Sequence, residues 1–334
     1  MKLLSVAVPC YNSEEYMENC IKSLLTGGDD IEIIIVDDGS KDETGAIADR
    51  YQEKYPDTIK VIHQENKGHG GAINTALSAA TGKYFKVVDS DDTLNTETLQ
   101  VVLKTLKERD GIDMLVTNYK YTHENPDEDF VVSYRRPLPR NRVISWHSIR
   151  SFSVEQYLTI HSVLFRTECV KASGVVLPEH VFYEDNVFVY SVLPKIKKFI
   201  FIDKVLYNYT IGREGQSVQE DIIKKRYKHQ ILASQTIFTT YRLDEIKDRK
   251  LRKYMYHECV MLLLIAVIFA RLNRTEEAER DVEKMWEDCI AFDKKRAEYI
   301  KKYSLAAFVS VEGKKGREFG IALYRFAQKV VRFN

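Results

Sequence analysis

Cysteine is sparse and badly placed for structural chemistry. The five in 334 residues, Cys10, Cys20, Cys169, Cys259 and Cys289, are odd in number, scattered, and form no Cys-x-x-Cys pair. That excludes a zinc ribbon or a disulfide framework and fits free thiols in a reducing compartment. Net charge is nearly absent: 50 Lys and Arg against 49 Asp and Glu leave +1. No global field therefore draws the chain to nucleic acid. Long apolar runs are missing as well. The longest, Cys259 to Ala270, falls short of the roughly 18 residues of a membrane span and reads as a buried helix. At the N-terminus one Lys precedes an apolar run broken by Pro9, too short for a secretory signal. No internal repeat or low-complexity tract interrupts the chain. The expectation is a cytoplasmic globular protein with room for two domains, or for one domain and an extension.

What is present is alternation. Leu3 to Val8 reads as a buried strand ending at Pro9, and Asn12 with Glu15 three residues on reads as a capping box. Tyr16, Met17, Cys20, Ile21, Leu24 and Leu25 then recur at helical spacing until Gly27-Gly28. Ile31 to Val36, Ile59 to His63, Tyr84 to Val88 and Met114 to Thr117 read as further strands. Between them lie helical patterns through Ala46, Ile47 and Tyr51, over Ala72 to Ala80, and over Thr96 to Lys107. Strand and helix in turn predict an α/β fold, a mainly parallel sheet flanked by helices on both faces with right-handed crossovers. Ligands of such sheets collect outside the carboxyl ends of the strands. The polar segments Pro9 to Asn12, Asp37 to Ser40 and Asp89 to Asp92 all stand at those ends, which predicts one shared cleft.

Asp89-Ser90-Asp91-Asp92 carries the strongest chemical signal. Like charges this close raise the cost of ionising one another, and a divalent cation with oxygen ligands removes that cost. The alternative is a solvated turn in which Asp92 or Asn95 caps the following helix. Around Asp38-Gly39-Ser40, a helix-entry turn capped by Asp37 or Ser40 stays open beside a ligand-binding reading.

Taken together, Val8-Pro9-Cys10-Tyr11-Asn12, Val36-Asp37-Asp38-Gly39-Ser40, Asn66 to Asn74, Ala80-Thr81-Gly82-Lys83-Tyr84 and Asp89-Ser90-Asp91-Asp92 resemble the family 2 glycosyltransferases. Order and spacing agree from residue 3 to about 118. The resemblance implies a GT-A (Rossmann-like) fold of the bacterial surface-polysaccharide type and an inverting, metal-dependent transfer from a nucleotide sugar. The chain departs from the family in carrying Ile73 where many members have Arg, and His69-Gly70-Gly71 in place of small residues.

By the same resemblance, Tyr11 stacks on the nucleobase while Pro9 and Asn12 shape the turn. Asp38 accepts the uracil N3 hydrogen, which favours a UDP-sugar donor. Asn66, Gly70 and Ser90 join the nucleotide-binding set, with backbone N–H groups of Gly68 to Gly71 near phosphate or base. Asp91 is the principal ligand of Mg²⁺ or Mn²⁺, Asp89 reaches the ribose or a metal-bound water, and Asp92 completes the coordination or caps the next helix. Glu184-Asp185 matches the family's acidic pair, with Asp185 as base for the acceptor hydroxyl. The competing reading of that pair is an acidic helix start. Tyr207-Asn208-Tyr209 followed by Arg213 resembles a stretch that often closes over the diphosphate in the family, which implies pairing of Arg213 with phosphate oxygens, and an exposed loop arginine without a ligand is the alternative. His161 and His180 carry no signal beyond a surface or satisfied core histidine.

The expected organisation is a catalytic domain over 1–218, divided into a nucleotide-sugar half (1–118) and an acceptor half (119–218), then a helical C-terminal region over 219–334. The tail from Arg317 alternates Phe319, Ile321, Leu323, Phe326 and Val330 with basic residues. It reads either as a helix docked on the protein or as a peripheral contact with the inner face of a membrane. The expected partners are a nucleotide sugar and a saccharide or lipid-linked acceptor, without nucleic acid. Two other functions compete. A sugar-1-phosphate nucleotidyltransferase needs a glycine- and arginine-rich loop after the first strand, where Pro9 to Asn12 stands instead. A non-catalytic nucleotide-sugar binder does not need the acidic positions kept here.

Overall fold

The computed structural model describes residues 2–123, 125–154, 156–212 and 220–304, together with 318, 321, 322 and 325. Two compact units are present: residues up to Ser151 with Leu158–Ile211, and Phe152–Tyr157 with the described residues from Gly212 on.

The first unit is built on a single sheet. Strand β1 (Leu4–Cys10) is buried along its whole length, as a strand flanked on both sides must be. It is followed by α1 (Met17–Leu25), β2 (Ile31–Asp37), α2 (Thr44–Lys54), β3 (Ile59–His63), α3 (Gly68–Ala79) and β4 (Tyr84–Val87). These strands lie parallel in the order β3-β2-β1-β4, with Val6 opposite both Ile33 and Lys86. Their carboxyl ends therefore share one edge, and the polar segments after β1, β2 and β4 are brought together there.

Beyond β4 the sheet is mixed. Next come β5 (Thr93–Leu94), α4 (Thr96–Glu108), β6 (Met114–Thr122), β7 (Phe130–Val132), β8 (Val143–Ile144), β9 (Val163–Arg166), α5 (Thr167–Ser173), α6 (Glu184–Val192) and β10 (Phe199–Thr210). The short β9 runs antiparallel between β4 and β6, and β10 lies parallel to β6. Strand β5 pairs with Tyr207 and Asn208 of β10, which ties the acidic loop after β4 to the far side of the sheet.

Two local expectations are corrected. Asn12 does not cap α1: the cap position is Tyr16, without a side-chain hydrogen bond. Asn12 sits in the left-handed region (φ 49°), and its side chain accepts from Lys41 N, 29 residues away. Neither Asp37 nor Ser40 caps α2, whose cap position is Glu43. Asn95 does cap α4, accepting from Thr98 N at 2.9 Å. Helix α3 starts at Gly68 rather than Ala72, so three glycines fall in its first turn. The reason lies in packing: a Cβ at Gly70 would stand 2.7 Å from Pro178 O and 3.1 Å from Glu184 Cγ.

The second unit is helical among its described residues, with α7 (Glu220–Thr240), α8 (Arg249–Arg271), α9 (Glu276–Phe292) and α10 (Lys294–Tyr303). Asp248, Thr275 and Asp293 cap the last three through side-chain oxygens. Helix α8 is long and apolar enough to cross a membrane by composition, yet 72% of its most apolar window is buried within the protein. That agrees with the buried helix expected from Cys259 to Ala270. Arg296 binds the unit from inside, donating to Phe238 O at 2.6 Å and Tyr241 O at 3.1 Å.

Candidate active site

The acidic loop leaves β4 and is fixed at once from β10. Tyr207 donates its hydroxyl to Asp92 Oδ2 at 2.6 Å, and Thr210 N donates to Asp92 Oδ1 at 2.7 Å. Asp89 N donates to the same Tyr207 oxygen at 3.2 Å. Asp92 is thus a buried anchor, and the cap of α4 falls to Asn95. The buried Ser90 hydroxyl meets Ser13 Oγ at 2.8 Å, joining the loop to the turn after β1.

The segment between β3 and α3 links the carboxylates. Asp38 is 3% exposed, and its Oδ1 accepts from Gln64 Nε2 at 2.6 Å and Lys67 N at 2.8 Å. Among the described residues its second oxygen receives no hydrogen bond. Gly39 lies at φ 74°, and a Cβ there would meet Asn66 N at 2.9 Å, so only glycine fits. Asn66 accepts from Gly68 N, and His69 follows. The His69 ring has Nδ1 at 2.6 Å from Glu184 Oε1 and Nε2 at 2.9 Å from Asp89 Oδ1. Burial opposes a charge on this imidazole, but Asp89 and Glu184 together hold its pKa well above the usual value.

Helix α6 begins on a strained residue, Tyr183 at φ 69°, and places Glu184 and Asp185 in its first turn. A bulky side chain in that region costs about 1–2 kcal/mol and needs support from its surroundings. The support is the preceding segment. Asn74 holds Leu177 by both its backbone atoms, and His180 N donates to Lys67 O at 3.0 Å. Burial and the neighbouring Glu184 push Asp185 up to about 6. A carboxyl near that value is ionised at neutral pH and still basic enough to take a proton.

Among the described residues, Asp89, Asp92 and His161 each offer a donor atom within 4.8 Å of the others. The two carboxylates suit Mg²⁺ or Mn²⁺, the imidazole shifts the preference toward a transition ion such as Mn²⁺, and the local charge balance fits a cation. Burial and the charges of Asp91 and Asp89 push Asp92 well above the carboxylate range. Burial also works against the Asp89 charge, which His161 and His69 hold far below that range. Asp91 lies outside this group of three and acts on it through its charge. His161 is packed by the rings of Tyr119, Tyr207 and Tyr209, at 5.5, 4.9 and 4.6 Å between centroids.

The remaining sequence candidates fall as follows. Pro9 lies inside β1 opposite Val36, so the strand runs past it to Cys10, and Tyr11 just beyond is 50% exposed. Asn12 N donates to Ser40 Oγ, which joins the first two polar segments. Gly70 faces Pro178, Leu177 and Glu184, so protein fills the space a side chain would need. Arg213 and the tail from residue 317, apart from four isolated positions, lie outside the described residues.

Three contributors escaped the sequence reading. His161 stands on a short segment before β9 and is brought to Asp89 only by the strand crossing. His69 had been noted only as a departure from small residues. Lys86, inside an apolar strand, is 2% exposed, and its Nζ donates to Ile160 O, His161 O and Val163 O at 3.0–3.3 Å. That buried ammonium fixes the segment carrying His161, and burial lowers it to about 7.

The chain is similar to known proteins in sequence and in fold. The model of "Glycosyl transferase family 2" matches residues 5–163. Residues 5–163 are thus a family 2 glycosyltransferase domain. Glycosyltransferase GlyG of Streptococcus pneumoniae is 37% identical over 131 residues, covering 39% of this chain and 42% of GlyG. The chain thus spans less than half the length of that relative. The uncharacterized glycosyltransferase EpsJ of Bacillus subtilis is 28% identical over 309 residues, covering 87% of this chain and 84% of EpsJ. Among solved structures, S. aureus TarS 1-349 in complex with UDP-GlcNAc superposes with a TM-score of 0.66 at 24% identity. The superposition covers 99% of this chain and 92% of TarS 1-349, and it establishes the GT-A glycosyltransferase fold.

Proposed function

We propose that the chain is an inverting glycosyltransferase that moves a hexosyl or N-acetylhexosaminyl group from a UDP-sugar to a hydroxyl of a saccharide or lipid-linked acceptor. The observation that carries this reading is the linkage of Asp38, Asp89 and Glu184 to one segment, residues 64 to 69, beside Asp185. Asp38 keeps an oxygen for a uracil N3 hydrogen, and Tyr11 offers an exposed ring for the base. TarS, of the same fold, binds UDP-GlcNAc, which supports a uridine donor. Asp89, Asp91, Asp92 and His161 are the residues that would hold Mn²⁺ or Mg²⁺. When bound, the ion neutralises charge on the departing diphosphate, a contribution of several kcal/mol.

Asp185 takes the proton of the acceptor hydroxyl. The oxygen of the acceptor hydroxyl forms the new bond to the anomeric carbon from the face opposite the leaving group, and the carbon–oxygen bond to the diphosphate breaks, with its electron pair leaving on UDP. Domain roles follow: residues 1–118 hold the donor, 119–218 contribute the acceptor side, and 219–334 are a separate C-terminal region, helical among its described residues from Glu220 to Tyr303. The reading places the enzyme in the cytoplasm, where nucleotide sugars and the inner membrane face meet.

The test is UDP release from a panel of UDP-glucose, UDP-galactose, UDP-GlcNAc and UDP-GalNAc, with Mn²⁺ and with EDTA. Metal-dependent release from one donor, lost in Asp185→Asn, supports the assignment. Absence of release from every donor, or release indifferent to EDTA, contradicts it.

A further inference from the structure

His69 joins two parts of the site that lie far apart in sequence. Each of its ring nitrogens faces a carboxylate, and the two carboxylates come from opposite sides: Asp89 from the loop after β4 and Glu184 from the start of α6. They are 20 and 115 residues away in sequence. Carboxylates only accept hydrogen bonds, so a rigid ring with a nitrogen at either end can span them where an amide cannot.

The ring also stands on firm ground. It rises from the first turn of α3, where Gly70 lets α6 approach to within 3.1 Å of where a Cβ would be. Farther along α3, Asn74 holds Leu177 at both backbone atoms. Glu184 is 2% exposed with its Oε1 engaged, whereas among the described residues the half-buried Asp185 receives a side-chain hydrogen bond from its neighbour Asn186 alone. Two adjacent carboxylates are thereby made different.

We propose that His69 is a positioning residue for the transfer reaction. By carrying Asp89 and Glu184 on one imidazole, it sets the spacing between the diphosphate side and the base helix, and it withdraws Glu184 so that Asp185 alone takes the acceptor proton. This rests on the base assignment proposed above.

The experiment compares His69→Gln with wild type in two readouts. One is UDP release from the best donor of the panel at saturating Mn²⁺. The other is calorimetric titration of Mn²⁺ into the UDP-saturated protein. The expected result is a kcat lower by about 10–100-fold and a Mn²⁺ affinity several-fold weaker, with donor KM within about threefold, as for other residues that orient a ligating carboxylate. A purely structural role would shift the melting temperature without this split. Wild-type kcat and Mn²⁺ affinity in folded His69→Gln overturn the proposal.

If His69→Gln does not fold, Glu184→Gln decides, since its amide oxygen still accepts from Nδ1. A kcat above about one-tenth of wild type is expected, because a residue held for position tolerates this change far better than a base does. Loss to background makes Glu184 a proton acceptor and overturns the proposal. The two layers separate cleanly. Near-normal transfer by Asp185→Asn removes the base assignment and the second half of the proposal with it. Loss in Asp185→Asn beside wild-type constants in His69→Gln removes the role of His69 alone.

Discussion

Asn74 holds Leu177 as a neighbouring strand would. Its Nδ2 donates to Leu177 O at 2.9 Å and its Oδ1 accepts from Leu177 N at 3.0 Å, across 103 residues of sequence. This pair docks the segment before α6 onto α3 and so sets where Asp185 stands. Asn74→Ala leaves two backbone groups short of partners and is expected to lower stability by about 1–3 kcal/mol. Chemical denaturation checks the loss, and an unchanged midpoint would show that the clamp carries no stability.

Transfer should follow the ionisation of Asp185. The carboxyl is raised to about 6 by burial and Glu184, and the base form is the ionised one. Activity is expected to rise with pH through an acidic limb at or somewhat below about 6, since a bound cation pulls the limb lower, and then to level off. The pH profile of kcat/KM reads this directly. A profile flat between about pH 5 and pH 8 would point to a different proton acceptor.

The same shift has a stability consequence of opposite sign. A carboxyl raised in the folded state takes up its proton before the unfolded chain does as pH falls. Its penalty is therefore absent below the ordinary value of 3.8 and complete above about 6. Asp185→Asn removes the penalty, so at neutral pH the variant is expected to be more stable by about 1–3 kcal/mol while transfer collapses. Thermal denaturation at pH 7.5 and at about pH 4 tests it: the gain belongs at the higher pH only.

Much of this was legible in the chain because the first half obeys simple periodicities. The buried runs of β1 and β2 and the helical spacing of Met17, Cys20, Ile21 and Leu24 place the polar segments at one sheet edge before any coordinates are known. The cap at Asn12 misled because Asn with Glu three residues on is a local pattern, whereas the side chain is claimed by Lys41 N from the next crossover. His161, Lys86 and the anchoring of Asp92 by Tyr207 were illegible for a related reason. Each acts through partners 70 or more residues away, placed by β9 and β10, and β9 is too short to announce itself. Glu184 and Asp185 were found as a pair, but their unlike environments depend on His69, which periodicity does not reveal.

Lys86 is expected to be essential to the fold of the site. Lys86→Met fits the apolar strand but leaves the carbonyls of Ile160, His161 and Val163 without their donor. A loss of about 3 kcal/mol or more is expected from removing one partner of such a buried network. Urea denaturation of Lys86→Met checks this, and a loss below about 1 kcal/mol would mean that water serves the carbonyls equally well.

The most direct test of the whole account is calorimetric titration of UDP into the wild-type protein and Asp91→Ala, each with Mn²⁺ and with EDTA. If the acidic loop holds a cation that bridges to the diphosphate, Mn²⁺ tightens UDP binding in the wild type and the gain disappears in Asp91→Ala. Equal UDP affinity with Mn²⁺ and with EDTA in the wild type would contradict it.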